Sequence, residues 1–453
     1  MITARAWAGK HYAVYGLARS GLATVQALLA SGAQVTAWDE RDEARGRAHG
    51  AELLDLDTAD LTQFDSLILS PGVPLNIHPL AARAREAGIE IIGDIELFAR
   101  ARPELPPHKV VGITGTNGKS TTTALVHHIL ATAGVPATMG GNIGLPLLAQ
   151  DPLPEGGVYV LELSSFQIDL TQSLDCDVAV LLNITPDHLD RYESFEAYAA
   201  SKARLFEMQS ALHVAFVGES TAEIIDQVTN GLPQRVMSIH GECYVDSFGN
   251  TEMGLSGVHN GENVGVAAWV CEELGLTTES VWQAGKTFRG LPHRMERVRE
   301  KDGVLFVNDS KATNPEAAAP ALAAYSDKRW IASGQAKTED LRDTAPAVAS
   351  YPRVRWIVGG QAKTDTLGDT AKHLDLVVHA YTIGEAGPLF ARLLREAGTA
   401  VTECGTLENA VKRAAADSQP GEVVLLSPAC ASFDQFRDFE ARGEAFRRAV
   451  GEL

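Results

Sequence analysis

Short apolar runs alternate with helical patterns along the first hundred residues. HYAVYG, AQVTAWD, DSLILSPG and IEIIGD predict buried parallel strands, and the Ala- and Leu-rich stretches between them predict helices. Strands that alternate with helices in this way are typical of a doubly wound α/β domain. The pattern therefore predicts a Rossmann-like N-terminal domain over residues 1–103.

Two further α/β regions follow. RPELPPHK, with its three prolines, predicts a linker, and the strand KVVGIT then opens a central region with the strands VYVLEL and VAVLLNIT. In RVMSIHGECYVDSFGNTEMGLSG the helical signal gives way to short alternating strands, which predict a small antiparallel appendage. We expect a P-loop ATPase-like central domain over residues 104–291 and a C-terminal Rossmann-like domain over residues 292–453, because 453 residues exceed a single core.

The C-terminal region contains a tandem repeat. WIASGQAKTEDLRDTA begins at Trp330, and WIVGGQAKTDTLGDTA begins at Trp356, so that eleven of sixteen aligned positions are identical at an offset of 26. Each copy predicts a strand, a glycine loop and a helix. The repeat is a local duplication of one βα unit within residues 330–371, too short to be a solenoid.

Composition excludes several classes of protein. A net charge of −19 argues against general nucleic-acid binding, which needs a basic field. The five cysteines are scattered and odd in number, which favours reduced thiols in a cytoplasmic protein. No apolar run is long enough to span a bilayer, so we expect no membrane insertion.

The strongest motif is a phosphate loop, VVGITGTNGKSTTT. A strand ends in the loop Gly115-Thr116-Asn117-Gly118, and Lys119, Ser120 and Thr121 begin a helix. Glycines let backbone N–H groups surround phosphate oxygens, the lysine supplies a cation, and the serine hydroxyl can bind Mg²⁺. The spacing is one residue off the usual pattern, since Ile113 stands where the first glycine belongs. A glycine-rich turn with a solvated lysine is the alternative, but strand, loop, lysine and helix together predict a nucleoside triphosphate site.

Candidate metal ligands follow neighbouring strands. Glu162 ends VYVLEL, and His188 follows VAVLLNIT, at the carboxyl edge where a parallel sheet presents its ligands. Taken alone, Glu162 could cap a helix and His188 could be a loop residue, but their position beside a phosphate loop favours Mg²⁺ binding. Lys202 lies in a helical pattern, where a lysine is ordinarily a solvated surface residue.

The N-terminal domain carries an imperfect dinucleotide fingerprint. Gly16, Ala18 and Gly21 follow the first strand, and Asp39 ends the second. The methyl group of Ala18 would crowd a dinucleotide pyrophosphate, so the loop fits NAD poorly. It fits instead a diphosphate-bearing ligand held at the helix N-terminus by Arg19 and Ser20, and the turn at Gly72 could line the same crevice.

Motifs over essentially the whole chain resemble the Mur ligase family, and in particular its D-glutamate-adding members. They are GDIELF, GITGTNGKST, GGNIGLP, LELSSFQ, DHLDRY, SGVHN, LPHRME, NDSKATN and SPACASFDQF. The D-N-P-R motif typical of the member that adds the third amino acid is absent from the sequence. The resemblance implies that ATP phosphorylates the carboxylate of UDP-N-acetylmuramoyl-L-alanine, and that the amine of D-glutamate then displaces phosphate.

The resemblance also implies roles for individual residues. Lys119 and Ser120 would hold the β- and γ-phosphates and one Mg²⁺, and Glu162 would join that metal. His188 would bind a second Mg²⁺, and a carbamylated Lys202 would be a further metal ligand. Residues implied to contact the nucleotide are Asn263, Arg294 and Asp309. Residues implied along the UDP-substrate path are Arg19, Ser20, Arg41, Gly72, Asn142 and Ser164. Residues implied near D-glutamate are Lys311, Thr313, Ser432 and Phe439. We expect a monomer.

The duplication leaves one role open. In the family, one lysine after this strand and glycine loop helps to hold D-glutamate, whereas this chain has two candidates for that role, Lys337 and Lys363. The expectation leans to Lys337, because its strand follows the preceding helix closely, although Lys363 keeps the Gly-Gly pair.

Three other functions stay open at this point. The first is another Mur enzyme or a folylpolyglutamate-type synthetase, which shares the chemistry but takes a different acceptor. The second is a non-catalytic nucleotide switch, which would need no second metal site. The third and weakest is a dehydrogenase.

Overall fold

The computed structural model describes residues 1–185, 191–218, 234–239, 258–288, 290–325 and 353–453. The described residues form two compact units, one reaching to Phe288 and the other from Gly290 onward. Within the described residues, no helix is long and apolar enough to cross a membrane.

The first sheet has five parallel strands in the order β3-β2-β1-β4-β5. Its strands are β1 (His11–Tyr15), β2 (Gln34–Trp38), β3 (Glu52–Leu53), β4 (Ser66–Leu69) and β5 (Glu90–Ile92). Its helices are α1 (Arg19–Ala30), α2 (Asp42–Arg45), α3 (Pro79–Glu86) and α4 (Asp94–Ala101). Strands β1 and β4 are almost entirely buried, as continuous apolar runs in a parallel sheet require.

The second sheet has six parallel strands in the order β11-β10-β9-β6-β8-β7. Its strands are β6 (His108–Thr114), β7 (Ala137–Gly141), β8 (Gly157–Glu162), β9 (Val178–Leu181), β10 (Val214–Gly218) and β11 (Arg235–Ile239). Its helices are α5 (Lys119–Thr132), α6 (Ser165–Asp169), α7 (Phe195–Glu207), α8 (Val258–Glu273) and α9 (Thr278–Gly285). The strand β6 that carries the phosphate loop lies between β9 and β8, so residues at both neighbouring strand ends reach the loop.

The first two sheets share one hydrophobic core. The cluster extends from Val14 in β1 through Phe98 in α4 to Tyr159 in β8, and the rings of Phe98 and Tyr159 are 4.9 Å apart. Glu96 in α4 is buried, and its carboxylate accepts hydrogen bonds from the backbone N–H of Gln172 and from both the N–H and the hydroxyl of Ser173. Apolar contacts and a buried carboxylate therefore join the two sheets.

The third sheet is mixed, with the order β12-β13-β17-β14-β15-β16. Only β12 is antiparallel to its neighbour β13, and the other pairings are parallel. Its strands are β12 (Glu296–Lys301), β13 (Val304–Asn308), β14 (Val354–Gly359), β15 (Val377–Ile383), β16 (Val401–Gly405) and β17 (Val423–Leu426). Its helices are α10 (Pro315–Ala323), α11 (Gly387–Glu396), α12 (Leu407–Asp417) and α13 (Phe439–Gly451).

The α/β fold class predicted from the sequence is confirmed, with one correction. Arg235–Ile239, assigned from its pattern to the antiparallel appendage, instead pairs in parallel with β10, because its alternating residues extend the edge of the central sheet. The rest of the predicted appendage, residues 240–257, lies outside the described residues.

Candidate active site

The phosphate loop is formed by glycines that other residues could not replace. Gly115 has φ of 149° and Gly118 has φ of 83°, conformations that L-residues rarely adopt. A Cβ atom on Gly118 would lie 2.4 Å from the side-chain oxygen of Asn263 in α8. Ile113, which replaces the first glycine of the usual pattern, is a fully buried residue of β6 and belongs to the strand rather than to the loop.

Asn263 lies against the helix that follows the loop. The Thr122 hydroxyl donates to the Asn263 side-chain oxygen at 3.1 Å and also to the Gly118 carbonyl at 3.1 Å. The structure therefore places Asn263 beside the phosphate loop, and the predicted contact with adenine stays a prediction.

Two lysine ammonium groups meet at one carbonyl oxygen of the loop. Lys119 donates to Gly115 at 2.8 Å and to Thr116 at 2.7 Å, while Lys202 in α7 donates to Gly115 at 2.9 Å. Lys202 is 2% exposed, and its ammonium lies 4.7 Å from the centre of the Tyr198 ring. The interpretation of Lys202 as a solvated surface residue was wrong, since α7 packs this face against the loop. Both ammonium groups would attract an anion bound at the loop.

Glu162 presents a buried carboxylate oxygen beside the loop. It pairs with Ile113 in the register of β6 and β8, and it is 2% exposed. One carboxylate oxygen accepts a hydrogen bond from the Asn142 amide at 3.0 Å, whereas the other has no hydrogen-bond partner among the described residues. A buried carboxylate oxygen without a partner among the described residues, at the end of the strand next to β6, fits a hard divalent cation such as Mg²⁺.

The segment after β9 lies against the other side of the loop. The backbone N–H of Thr116 donates to the Asn183 carbonyl at 2.9 Å, and that of Asn117 donates to the Asn183 side chain at 2.8 Å. The Thr116 hydroxyl donates to the Thr185 carbonyl at 3.2 Å. His188, the predicted second metal ligand, is three residues further on and lies outside the described residues.

The predicted substrate residues of the first sheet are near its carboxyl edge. Arg19, at the start of α1, donates to the Gly144 carbonyl at 2.9 Å, two residues from Asn142. Gly72 accepts a hydrogen bond from Arg191 at 3.3 Å. Ser20 belongs to the first turn of α1, and the Ser164 hydroxyl caps α6 by accepting from the Gln167 N–H at 3.2 Å.

Asp39 occupies the position that contacts the ribose in a dinucleotide-binding fold, and here it binds two groups of the protein itself. Its carboxylate accepts from the Leu17 N–H at 2.7 Å and from the Arg41 guanidinium at 3.1 Å. Burial alone would raise the pKa of Asp39, but the hydrogen bonds from Arg41 and Leu17 outweigh burial and lower it. A carboxylate already engaged with the glycine loop and with Arg41 weakens the dehydrogenase interpretation.

In the second unit, Asp309 lies at the end of β13. It is 4% exposed, and its carboxylate accepts from the Ser427 hydroxyl at 2.8 Å and from the Met295 N–H at 3.2 Å. Burial raises the pKa of Asp309 to about 7, against the opposing effects of Ser427 and Arg294. Arg294 is exposed between His293 and Met295, whose φ angles of 61° and 49° make this turn strained for non-glycine residues.

A buried arginine joins the loops that carry the predicted D-glutamate residues. Arg442 in α13 is 1% exposed and donates to the hydroxyl and carbonyl of Ser310 at 3.0 and 2.9 Å. It also donates to the carbonyls of Cys430 and Ala431 at 3.1 and 3.2 Å. The predicted residues Lys311 and Ser432 each lie next to one of these partners. Sequence reasoning missed Arg442, since nothing in its pattern separates it from Arg447 and Arg448 of the same helix.

The remaining predicted residues of this unit fall near the same loops. Phe439 begins α13, and its carbonyl accepts from the Ser310 hydroxyl at 2.8 Å. Thr313 is half-buried just before α10. Lys363 is exposed in the loop after β14, whereas Lys337 lies outside the described residues.

A phosphate loop at the centre of a parallel sheet, flanked by a buried acid and a buried lysine, defines a nucleotide-dependent α/β enzyme. Three family descriptions match the chain: the MurD-like N-terminal domain of Mur ligases over residues 10–93, the Mur ligase middle domain over 113–246, and the Mur ligase glutamate ligase domain over 293–430. The chain belongs to the Mur ligase family and is an ATP-dependent ligase.

Individual relatives cover the full chain. UDP-N-acetylmuramoylalanine--D-glutamate ligase of Novosphingobium aromaticivorans is 55% identical and aligns with 100% of this chain and 97% of its own length. The enzyme of the same name from Sphingopyxis alaskensis is 54% identical, with both chains fully covered.

Solved structures share the fold at low identity. UDP-N-acetylmuramate-alanine ligase of Thermotoga maritima has a TM-score of 0.55 at 17% identity, covering 98% of this chain and 99% of that one. The MurF ligase of the same organism, in complex with ADP, has a TM-score of 0.54 at 16% identity, covering 99% and 97%.

Proposed function

We propose that this chain joins D-glutamate to UDP-N-acetylmuramoyl-L-alanine at the expense of ATP, in the synthesis of peptidoglycan precursors. Full-length relatives at 54–55% identity carry the name of that activity. The single observation in the structure that carries the proposal is the pair of lysines on the Gly115 carbonyl beside the buried carboxylate of Glu162. Such an arrangement can accept a triphosphate and hold the charge that moves during phosphoryl transfer.

The reaction takes place in two steps. A carboxylate oxygen of the UDP-substrate attacks the γ-phosphorus, the bond to ADP breaks, and an acyl phosphate forms. The amine of D-glutamate then attacks the acyl carbon, and the tetrahedral intermediate expels phosphate. The protein supplies position and charge rather than covalent chemistry, so the loop amides and Lys119 orient the triphosphate while negative charge shifts toward ADP.

Metal ions are expected at the carboxyl edge of β8. The unpartnered oxygen of Glu162 and the hydroxyl of Ser120 would hold one Mg²⁺, and His188 would bind a second. Mg²⁺ there would neutralise phosphate oxygens and polarise the phosphorus. A carbamate on Lys202 would supply a metal-binding anion, and the burial of this side chain beside the loop supports that modification.

Each remaining group of residues has a role that its position supports. Arg19, Ser20, Arg41 and Gly72 would bind the UDP portion at the edge of the first sheet, where a helix N-terminus favours a diphosphate. Lys311, Ser432 and Phe439 would bind D-glutamate, and Arg294, Asp309 and Asn263 would contact the nucleotide. The enzyme would act as a monomer in the cytoplasm, where its nucleotide substrates are.

A phosphate-release assay tests the proposal. With ATP, Mg²⁺ and UDP-N-acetylmuramoyl-L-alanine present, we expect release with D-glutamate and little with L-glutamate, D-aspartate or L-lysine. Lys119→Ala should lower kcat by about a hundredfold or more, since it removes a cation that faces the transferred charge. Release that does not depend on the amino acid would refute the ligase, and a preference for L-lysine or L-glutamate would redirect it to a neighbouring member of the family.

A further inference from the structure

The residues of the two copies of the repeat do not fit the central position of the third sheet equally well. We propose that the second copy, beginning at Trp356, is the copy that forms the sheet and brings its lysine, Lys363, to the amino-acid site. The first copy, beginning at Trp330, is then an insertion that the fold and the reaction do not require. The part of this inference that concerns D-glutamate rests on the proposed function.

The second copy occupies the centre of the sheet. Strand β14 pairs with β17 on one side and with β15 on the other, so both of its edges are used. Its residues alternate between two cores, with Trp356 and Val358 in one and Ile357 in the other, and all three are fully buried. Strand β14 begins at Val354, thirty-one residues after α10 ends, so this place in the sheet does not need a strand that follows α10 closely. The first copy lies outside the described residues.

Residues of the first copy fit this place poorly. At the same offset of 26, Lys328 corresponds to Val354 and Ala332 corresponds to Val358. Both valines are fully buried. The first copy would therefore bury a charged lysine and leave a void of two methyl groups in the core.

The glycine at the end of β14 excludes the first copy more strongly. Gly359 has φ of 125°, and a Cβ atom there would lie 2.1 Å from the carbonyl oxygen of Ile383 in the neighbouring strand. Ser333 is the corresponding residue of the first copy. A serine there would need a strained backbone and would also have to displace β15. The displacement is costly because the contact is with the backbone of β15 and not with a flexible side chain.

Backbone hydrogen bonds then direct the loop of the second copy toward the amino-acid site. The N–H of Gly359 donates to the Pro428 carbonyl at 2.9 Å, and Gln361 and Ala431 exchange two hydrogen bonds of 2.9 Å each. Ala431 precedes Ser432, and Gln361 is two residues before Lys363. The lysine of the second copy is thus carried by a loop that is fixed beside Ser432.

Two deletions of 26 residues each test which copy the fold needs. Deleting residues 327–352 removes the first copy, and deleting residues 346–371 removes the second while leaving Lys328 and Ser333 to enter the sheet. We expect the first deletion to melt within a few degrees of the full chain, and the second to melt about 10 °C lower or not to fold. Equal melting of the two deletions, or lower melting of the first, would overturn the structural part of the inference.

A pair of point variants tests the lysine in the full chain. Lys363→Ala should raise the KM for D-glutamate by about tenfold to a hundredfold, as expected for loss of a charged hydrogen bond, with the KM for ATP changed by less than about twofold. Lys337→Ala, the matched change in the other copy, should leave both constants within about twofold of the full chain. A larger D-glutamate effect in Lys337→Ala, or no effect in Lys363→Ala, would overturn the assignment.

The outcomes separate this inference from the proposed function. If the unaltered chain released no phosphate in response to D-glutamate, the proposed function would fail, yet the melting of the two deletions would still decide which copy forms the sheet. An active unaltered chain whose 327–352 deletion melts normally but loses D-glutamate-dependent release would overturn the inference and leave the proposed function standing.

Discussion

Replacing Arg442 with methionine should destabilise the second unit and weaken D-glutamate binding together. Arg442 is 1% exposed, and its guanidinium holds the loop after β13 to the loop after β17 through four hydrogen bonds. Burial lowers the pKa of Arg442 to about 10, so it stays protonated at neutral pH. Methionine fills much of the volume but cannot donate to the three carbonyls. The Ala431 carbonyl keeps the Gln361 N–H, whereas the carbonyls of Ser310 and Cys430 lose this donor.

The expected cost follows from those two carbonyls. Each buried acceptor that loses a charged donor costs about 1.5–3 kcal/mol, and part of this is offset because no guanidinium has to be desolvated. A net loss of about 3 kcal/mol would lower the melting temperature by roughly 6–12 °C for a unit of this size. The loops that carry Lys311 and Ser432 would also lose their common anchor, so the KM for D-glutamate should rise more than the KM for ATP.

Calorimetry and initial-rate kinetics on matched variants provide the assay. Arg448→Met is the control, because Arg448 is an exposed arginine of the same helix and its loss should change stability by less than about 0.5 kcal/mol. Arg442→Lys keeps the charge but loses the planar set of guanidinium donors, so its melting temperature should lie between those of Arg442→Met and Arg448→Met. The anchoring role would be refuted if Arg442→Met had the same melting temperature as Arg448→Met and an unchanged KM for D-glutamate.

Two further variants test the chemistry of buried groups. Lys202→Ala should lose most activity and regain a part of it with added short-chain carboxylic acids, which could stand in for a carbamate; near-normal activity without them would remove Lys202 from the site. Asp309→Asn tests linkage to pH: in the folded protein burial keeps Asp309 protonated to about pH 7, against 3.8 for an ordinary aspartate, so its stabilising contribution is complete below pH 3.8 and is lost as pH rises to 7. In denaturant unfolding, the free energy of unfolding of Asp309→Asn should therefore rise relative to that of the unaltered chain by up to about 4 kcal/mol between pH 4 and 7. A difference between the two chains that does not change with pH would contradict the raised pKa.

The features predicted from the sequence are those that local pattern determines. Continuous apolar runs such as HYAVY and VYVLE are buried parallel strands, and the glycines, lysine and serine of the phosphate loop occupy the strand-to-helix turn that their spacing predicts. Glu162 is the last residue of β8, and the register of β8 with β6 fixes its position opposite Ile113.

The features that the residue pattern alone did not predict depend on contacts distant in the chain. Lys202 lies in an ordinary helical pattern, and only the packing of α7 against Gly115 makes it a buried cation. Choosing between the two copies of the repeat requires the φ angle of Gly359 and the position of Ile383, neither of which spacing along the chain can give. The repeat offers two candidate strands, and we infer the choice between them from the packing around Gly359.

The buried carboxylate of Glu96 has a consequence for how this protein can be divided. Its oxygens bind the backbone of Gln172 and Ser173, so the partner surface is specified by main-chain geometry as well as by side chains. A polypeptide ending near residue 103 would present to water the apolar face that Phe98 now packs against Tyr159, and would lose the acceptor's partners as well. The parts of the chain that carry the first and second sheets therefore depend on each other, and we expect exchange between relatives to succeed only when both are transferred together.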